Sequence, residues 1–231
     1  MEYLSNKELY FCSSVNFEEQ IFFLEDDEFH HAIKVMRNKK GDKVFASDGK
    51  GKIFEGFIED IVKDNLKSKI IKTYQYKNEL GNYTFCIPNL KNPERLKFAL
   101  EKCTELGITK FILFNSEHTV SKGFNLGRLN KIVLSAMKQS LRAYLPKIEV
   151  VNSITELNSF GDKKVLFDQS GSIKLSDYKF DKHLNYLMIF GPEGGFSEKE
   201  ISELNRSTIL KLTDNRLRTE TAIIKAASLI S

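Results

Sequence analysis

The stretch with the clearest chemical content is Phe190-Gly191-Pro192-Glu193-Gly194-Gly195-Phe196-Ser197-Glu198-Lys199-Glu200-Ile201. It ends Leu184 to Phe190, a short apolar run of strand length that reads as a buried strand of an α/β sheet. The proline and glycines break that strand. Ser197 and Glu200 then have capping-box spacing, in which hydroxyl and carboxylate satisfy each other's free backbone donors, while Phe196 and Ile201 hold the positions of a hydrophobic staple. The pattern is strand, glycine-rich loop, and a helix starting at Ser197. Loops of this kind, at the carboxyl ends of strands in open α/β sheets, bind ligands; the other reading is a tight βα turn that needs glycines only for its geometry. The GxGxxG spacing and the Gly-Lys-Ser/Thr ending of phosphate-cradling loops are both absent. Glu193, Glu198 and Glu200 surround the helix start with negative charge, which suits the helix dipole and repels phosphate. A ligand without phosphate, cationic by preference, fits better.

A second group of residues is basic. Between Lys34 and Lys52 stand seven cations (Lys34, Arg37, Lys39, Lys40, Lys43, Lys50, Lys52) against Asp42 and Asp48. They read either as a phosphate-contacting face or as a solvated loop with incidental lysines. The net charge of +4 is too small to settle a polyanionic partner by itself. Cys12, Cys86 and Cys103 are odd in number, scattered and without CxxC, which suits reduced, buried thiols. The histidines form no HExxH pattern, and no metal is expected. The N-terminal residues do not resemble a signal peptide, and no apolar run approaches the roughly 18 residues needed to span a bilayer, so a cytosolic protein is expected.

The elements that must position these residues fall into two groups within 231 residues. Up to about Tyr76 the chain has strand-like pieces at Leu9 to Cys12, Ile21 to Leu24, Lys43 to Ser47, Ile53 to Ile61 and Lys67 to Tyr76, with Asp48-Gly49-Lys50-Gly51 as a hairpin turn. One helix, capped by Asp26 or Asp27 and running to about Met36, places Phe29, Ile33 and Met36 on one face. A small closed or nearly closed β-barrel is the economical architecture. The polar stretch from Lys77 to Asn82 marks the boundary, giving domains 1–76 and 77–231.

The second domain alternates strands and helices. Strands are expected at Tyr83 to Ile87, Lys110 to Phe114, Lys147 to Val151, Lys164 to Asp168, Leu184 to Phe190 and Thr208 to Leu212. Asn92-Pro93 opens a helix closed by Gly107, and a second helix runs from Leu126 to Arg142. Thr219 caps a last helix whose Ala222, Ala226 and Ala227 allow close approach to another backbone. The fold class is α/β with a mainly parallel sheet.

Together these pieces resemble one family. KCTELGITK (Lys102 to Lys110), AMKQSLRAYLP (Ala136 to Pro146), FGPEGGFSEKEI (Phe190 to Ile201) and LRTETA (Leu217 to Ala222) occur in the order and spacing of the ribosomal RNA small subunit methyltransferase E family. HHAIKVMRNKKGDKV (His30 to Val44), followed by DGKG, is similar to that family's PUA-like RNA-binding domain. The resemblance implies a SPOUT-type C-terminal α/β domain tied in a trefoil knot, an N-terminal PUA-like small β-barrel, a homodimer, and S-adenosylmethionine as cofactor. It implies methylation of ring nitrogen 3 of a uridine in 16S rRNA of the small ribosomal subunit. By residue-wise carry-over the cofactor is held by Ile189, Gly191 and Gly194, by Leu212, Asn215 and Leu217, and by a wall from Leu166 to Gln169. Two positions depart from the family pattern: Leu9-Tyr10-Phe11 lacks the first-strand arginine, and Thr213 stands where glycine often follows leucine.

Methyl transfer from a sulfonium to uracil nitrogen needs alignment, a dry pocket, and a way to remove or stabilise the proton on that nitrogen. Arg218 is the candidate for stabilising the uracil charge or holding a phosphate, and Glu220 for accepting the proton directly or through water; a loop-shaping salt bridge is the other role for each. Lys34, Arg37, Lys39 and Lys40 are the candidate RNA contacts, joined by Arg142 on the polar face of its helix. An RNA-binding assembly factor with an idle knot, or a related methyltransferase acting on another RNA, are the alternatives.

Overall fold

The computed structural model describes residues 7–117, 123–204 and 207–231. Its contacts divide the chain into two compact units: the chain up to Asn78 together with Met137–Leu145, and Glu79–Ala136 together with Pro146–Ser231.

In the first unit, β1 (Leu9–Phe11), β2 (Ser14–Asn16), β3 (Ile21–Glu25), β4 (Lys43–Ser47), β5 (Lys52–Val62) and β6 (Asn65–Gln75) form one sheet in the order β1-β4-β5-β6-β3-β2. The edge strands β1 and β2 are separated in the chain only by Cys12 and Ser13, so the sheet has to curl until its two ends meet. That closure is the barrel. Side-chain alternation then sorts the residues: Phe22, Leu24, Val44, Phe54, Ile58 and Leu66 fill the interior. On another face Leu9, Phe45 and Ile53 are covered by Ala143, Leu141 and Tyr144 from the Met137–Leu145 segment. That segment is held by backbone bonds from Gly51 N–H to Ala143 O (2.9 Å) and from Leu145 N–H to Gly49 O (2.9 Å). Its Lys138 donates to Glu28 Oε1 at 2.5 Å, and Glu28 Oε2 accepts the Phe11 N–H at 3.2 Å.

The first helix differs from expectation. α1 spans only Asp26–His30, has Glu25 as N-cap with no side-chain bond, and passes into a π turn over His31–Val35. A π turn closes over five residues, here from Met36 N–H to His31 O at 3.0 Å, which rotates the residues after it off the helix's buried face. Met36 is therefore 44% exposed instead of packing beside Phe29.

In the second unit, β7 (Tyr83–Pro88), α2 (Pro93–Glu105), β8 (Lys110–Phe114), α3 (Leu126–Gln139), β9 (Lys147–Val151), β10 (Lys163–Phe167), β11 (Ile173–Lys174), β12 (Tyr186–Phe190), α4 (Glu198–Glu203), β13 (Thr208–Lys211) and α5 (Thr219–Ile230) come in that order, the last residues of α3 belonging to the first unit. The sheet runs β11-β13-β10-β12-β7-β8-β9, and its strand pairings are parallel. All five residues of β12 are buried, as a central parallel strand requires. α2 starts with the Asn92 side chain accepting the Glu94 N–H (2.9 Å) and ends on Gly107 at φ +98°. Ala226 and Ala227 of α5 are fully buried, and α5 packs against α2.

Two expected helix ends are corrected. α3 stops at Gln139 because Leu141 takes the left-handed conformation (φ +57°), with Arg142 N–H bonded to Met137 O (2.9 Å) and Leu141 N–H to Lys138 O (3.1 Å). Arg142 therefore lies beyond the helix. The N-cap of α5 is Arg218, and the Thr219 hydroxyl instead donates to Gly191 O at 3.0 Å. Among the described residues no helix is long and apolar enough to cross a membrane, and no metal-ligating cluster forms. Cys12, Cys86 and Cys103 are buried free thiols.

Candidate functional site

The loops that leave the carboxyl ends of β10, β12 and β13 converge on a cavity of about 630 Å³. Register puts their carboxyl ends side by side: Phe167 pairs with Phe190 and with Leu210. The Phe167 and Phe190 rings stack at 4.8 Å and 15° and form an apolar wall. Phe196 folds back on Gly191 so closely that a Cβ there would lie 3.0 Å from its ring. The capping box is present as predicted, with Glu200 N–H to Ser197 Oγ at 3.1 Å and Ser197 N–H to Glu200 Oε2 at 2.9 Å. Glu200 also accepts from the Ser116 hydroxyl (2.7 Å) and the Glu117 N–H (3.0 Å), which pins the glycine loop to the end of β8.

Gly191, Gly194, Leu212, Asn215, Leu217 and Arg218 line this cavity, so two separate stretches of sequence are brought together. Leu166 and Ile189 are not on its wall. They are register partners whose side chains are buried in the core on one face of the sheet, with Leu187 and Leu204. Successive strand residues face opposite ways, so the lining falls to their neighbours Phe167 and Phe190, with Asp168 and Gln169 beyond. Thr213 is part of the wall.

The charge expected from the sequence is also revised. The Glu200 carboxylate accepts from the Ser116 hydroxyl and from the Glu117 and Ser197 N–H groups, and Glu198 is not among the lining residues. Glu193 does line the cavity, but its carboxylate accepts the Lys91 N–H at 3.3 Å and lies 3.9 Å from Arg95. Arg95, Lys211, Arg216 and Arg218 together outnumber Asp168 and Glu193 on the wall. Lys211 is compensated by Asp214 at 3.0 Å, and Asp214 also holds Lys174 at 2.7 Å. The two lysines draw the Asp214 carboxyl down to about 2.

Glu220 stands behind the wall. It is buried, with Oε1 3.5 Å from Arg95 Nε and Oε2 without a hydrogen-bond partner among the described residues. Arg95, in the first turn of α2, was not singled out from the sequence, although it lies four residues before the buried Ala99 and so at the edge of that helix's buried stripe.

The basic candidates belong to the first unit. Lys34, Arg37, Lys39 and Lys40 are all exposed, on the π turn and the loop after it, and Arg142 is exposed in the Met137–Leu145 segment.

A family model described as an RNA methyltransferase domain matches residues 78–231, and one described as an RNA methyltransferase PUA domain matches residues 24–71. The chain belongs to the ribosomal RNA small subunit methyltransferase E family. Members with that name include one from Bacillus subtilis, 28% identical over 93% of this chain and 91% of its own. A second, from Borreliella burgdorferi, is 30% identical over 90% of each chain. The crystal structure of a Neisseria gonorrhoeae member of the family, bound to S-adenosyl methionine, superposes with a TM-score of 0.85 at 24% identity, covering 96% of both chains. The parallel-sheet unit and the small PUA β-domain are thus the fold of this methyltransferase family.

Proposed function

We propose that the protein transfers a methyl group from S-adenosylmethionine to ring nitrogen 3 of a uridine in 16S rRNA of the small ribosomal subunit, acting as a homodimer in the cytoplasm. The observation that carries this reading is the cavity built from the ends of β10, β12 and β13 in a chain of this family. The wall residues fit the cofactor: a volume of about 630 Å³ within the range of ligand pockets, an apolar face from Phe167 and Phe190, carboxylates on Asp168 and Glu193 for a cation, and arginines for a carboxylate. S-adenosylmethionine supplies a methyl group on a sulfonium. The backbone around Gly191, Gly194, Leu212, Asn215 and Leu217 holds and orients it, and Phe196 and Pro192 help exclude water.

The uracil nitrogen carries a proton that has to leave. Arg218, on the wall, stabilises the negative charge that develops on the ring. Glu220, behind the wall, is the group that takes up the proton, while its Oε1 keeps Arg95 in place. The first unit, with Lys34, Arg37, Lys39, Lys40 and Arg142, holds RNA phosphates around a base that has left its stack.

The test is transfer of labelled methyl from S-adenosylmethionine to small subunits lacking the modification, followed by nucleoside identification. Label in 3-methyluridine is expected. Label in another nucleoside overturns the assigned position, and cofactor binding without transfer to any RNA overturns the enzymatic reading. Sedimentation at micromolar concentration checks the dimer.

A further inference from the structure

We propose that Val35 and Met36 form an apolar tip that packs against unpaired RNA bases, between the cations that hold the neighbouring phosphates. The inference rests on the reading of this face as RNA-binding and adds a contact that senses whether bases are paired.

Val35 is 65% exposed and Met36 44%, and they are adjacent. An amphipathic helix continued in α geometry would have turned Met36 inward with Phe29; the π turn at His31–Val35 turns it outward instead. The turn then ends on Arg37 at φ +57°, a left-handed position that glycine adopts without cost and arginine does not. Local backbone cost is thus spent on displaying side chains that the core does not use. The display is rigid: Asn38 N–H bonds Ala32 O (3.0 Å), the Asn38 side chain bonds the Tyr10 hydroxyl (2.9 Å), and Gly41 N–H bonds Ile58 O (2.8 Å).

The surroundings identify the occupant. Lys34, Arg37, Lys39 and Lys40 flank the tip, and among the described residues none of the four is in an ion pair. The one carboxylate in the loop, Asp42, is turned to the Lys39 N–H at 2.7 Å. Two apolar side chains ringed by cations are too little area for a stable protein interface, but they match nucleic acid, where cations meet phosphates and apolar side chains meet exposed base faces. A paired A-form helix hides those faces, so the tip favours loops and unpaired ends.

The experiment compares wild type, Val35→Ser/Met36→Ser and Lys39→Ala/Lys40→Ala, each checked for folding by circular dichroism. Binding is measured across a salt series to a loop-containing 16S rRNA fragment and to a fully paired duplex of equal length. The serine variant is expected to bind the loop RNA about tenfold more weakly at every salt concentration, with unchanged salt slope and unchanged duplex binding. The alanine variant is expected to weaken both RNAs and to flatten the slope by about 1.4. Loop binding by the serine variant at wild-type strength, or an equal loss on duplex, overturns the tip. An alanine variant with wild-type affinity and slope overturns the RNA reading of the whole face. A concentration-dependent change in mass abolished by the serine substitutions assigns the tip to a second copy of the chain, and equally overturns the proposal.

Discussion

Gly51 lies directly beneath the hydroxyl of Tyr144, with no room for a Cβ between them. Gly51 also sits at φ +106°, and the Tyr144 hydroxyl donates to Tyr76 O at 3.1 Å. The DGKG turn and the AYLP stretch, some 90 residues apart in sequence, are therefore one packed structure in the first unit. Gly51→Ala is expected to destabilise the protein by about 1–3 kcal/mol, read as a lower urea midpoint. Tyr144→Ala in that background restores only the steric part, because the left-handed backbone remains. A Gly51→Ala protein with wild-type midpoint sinks the account.

Substitutions at Glu220 and Arg218 are expected to separate the methyl-transfer step from cofactor binding. Glu220→Gln keeps the shape but not the basicity, and should lower methyl transfer by about 10²–10⁴-fold with cofactor affinity held. A loss of less than tenfold makes Glu220 a wall-shaping residue only. Arg218→Ala, measured by single turnover, should cost about 10²–10³-fold in rate.

Asp214 ties Lys174 of β11 to the wall loop that carries Asn215 and Leu217. Its carboxyl is pulled from the ordinary 3.8 to about 2 by the two lysines, so the stabilisation it gives is present above pH 3.8 and fades as pH falls through about 2. Asp214 is exposed and the two lysines are half-buried, so salt screens the pairs in part. Carboxyl chemical shifts followed by NMR should show Asp214 titrating near 2, and Lys174→Met should move that midpoint upward.

Arg37→Gly is expected to leave the fold intact and to raise its stability by about 1 kcal/mol, since glycine suits φ +57° better than arginine. The same variant should weaken RNA binding. Thermal unfolding and RNA titration on one preparation check both signs, and a destabilised glycine variant refutes the claim of local backbone cost at this position.

What could be read from the sequence was local. The capping box at Ser197 and Glu200, the Asn92 cap and Gly107, and the apolar run of β12 each depend on residues a few positions apart, and all stand in the structure. Helix ends without glycine did not announce themselves: Leu141 and Arg37 both adopt the left-handed conformation. Leu166 and Ile189 illustrate the period of a strand, where being one residue off moves a side chain from cavity to core. The acidic reading of the glycine loop failed because the destinations of Glu200 and Glu193, Ser116 and Arg95, lie about 80 to 100 residues away in the chain. β2 and β11, three and two residues long, are too short for any periodicity to show.

The Met137–Leu145 segment sets an order of events during synthesis. Leu9, Phe45 and Ile53 become buried only when Ala143 and its neighbours arrive, so the barrel's outer layer stays open until nearly two thirds of the chain has left the ribosome. A fragment ending at Asn78 would carry a greasy, uncovered flank and look for other surfaces to hide it. The first unit cannot be finished before the Glu79–Ala136 part of the second has been made.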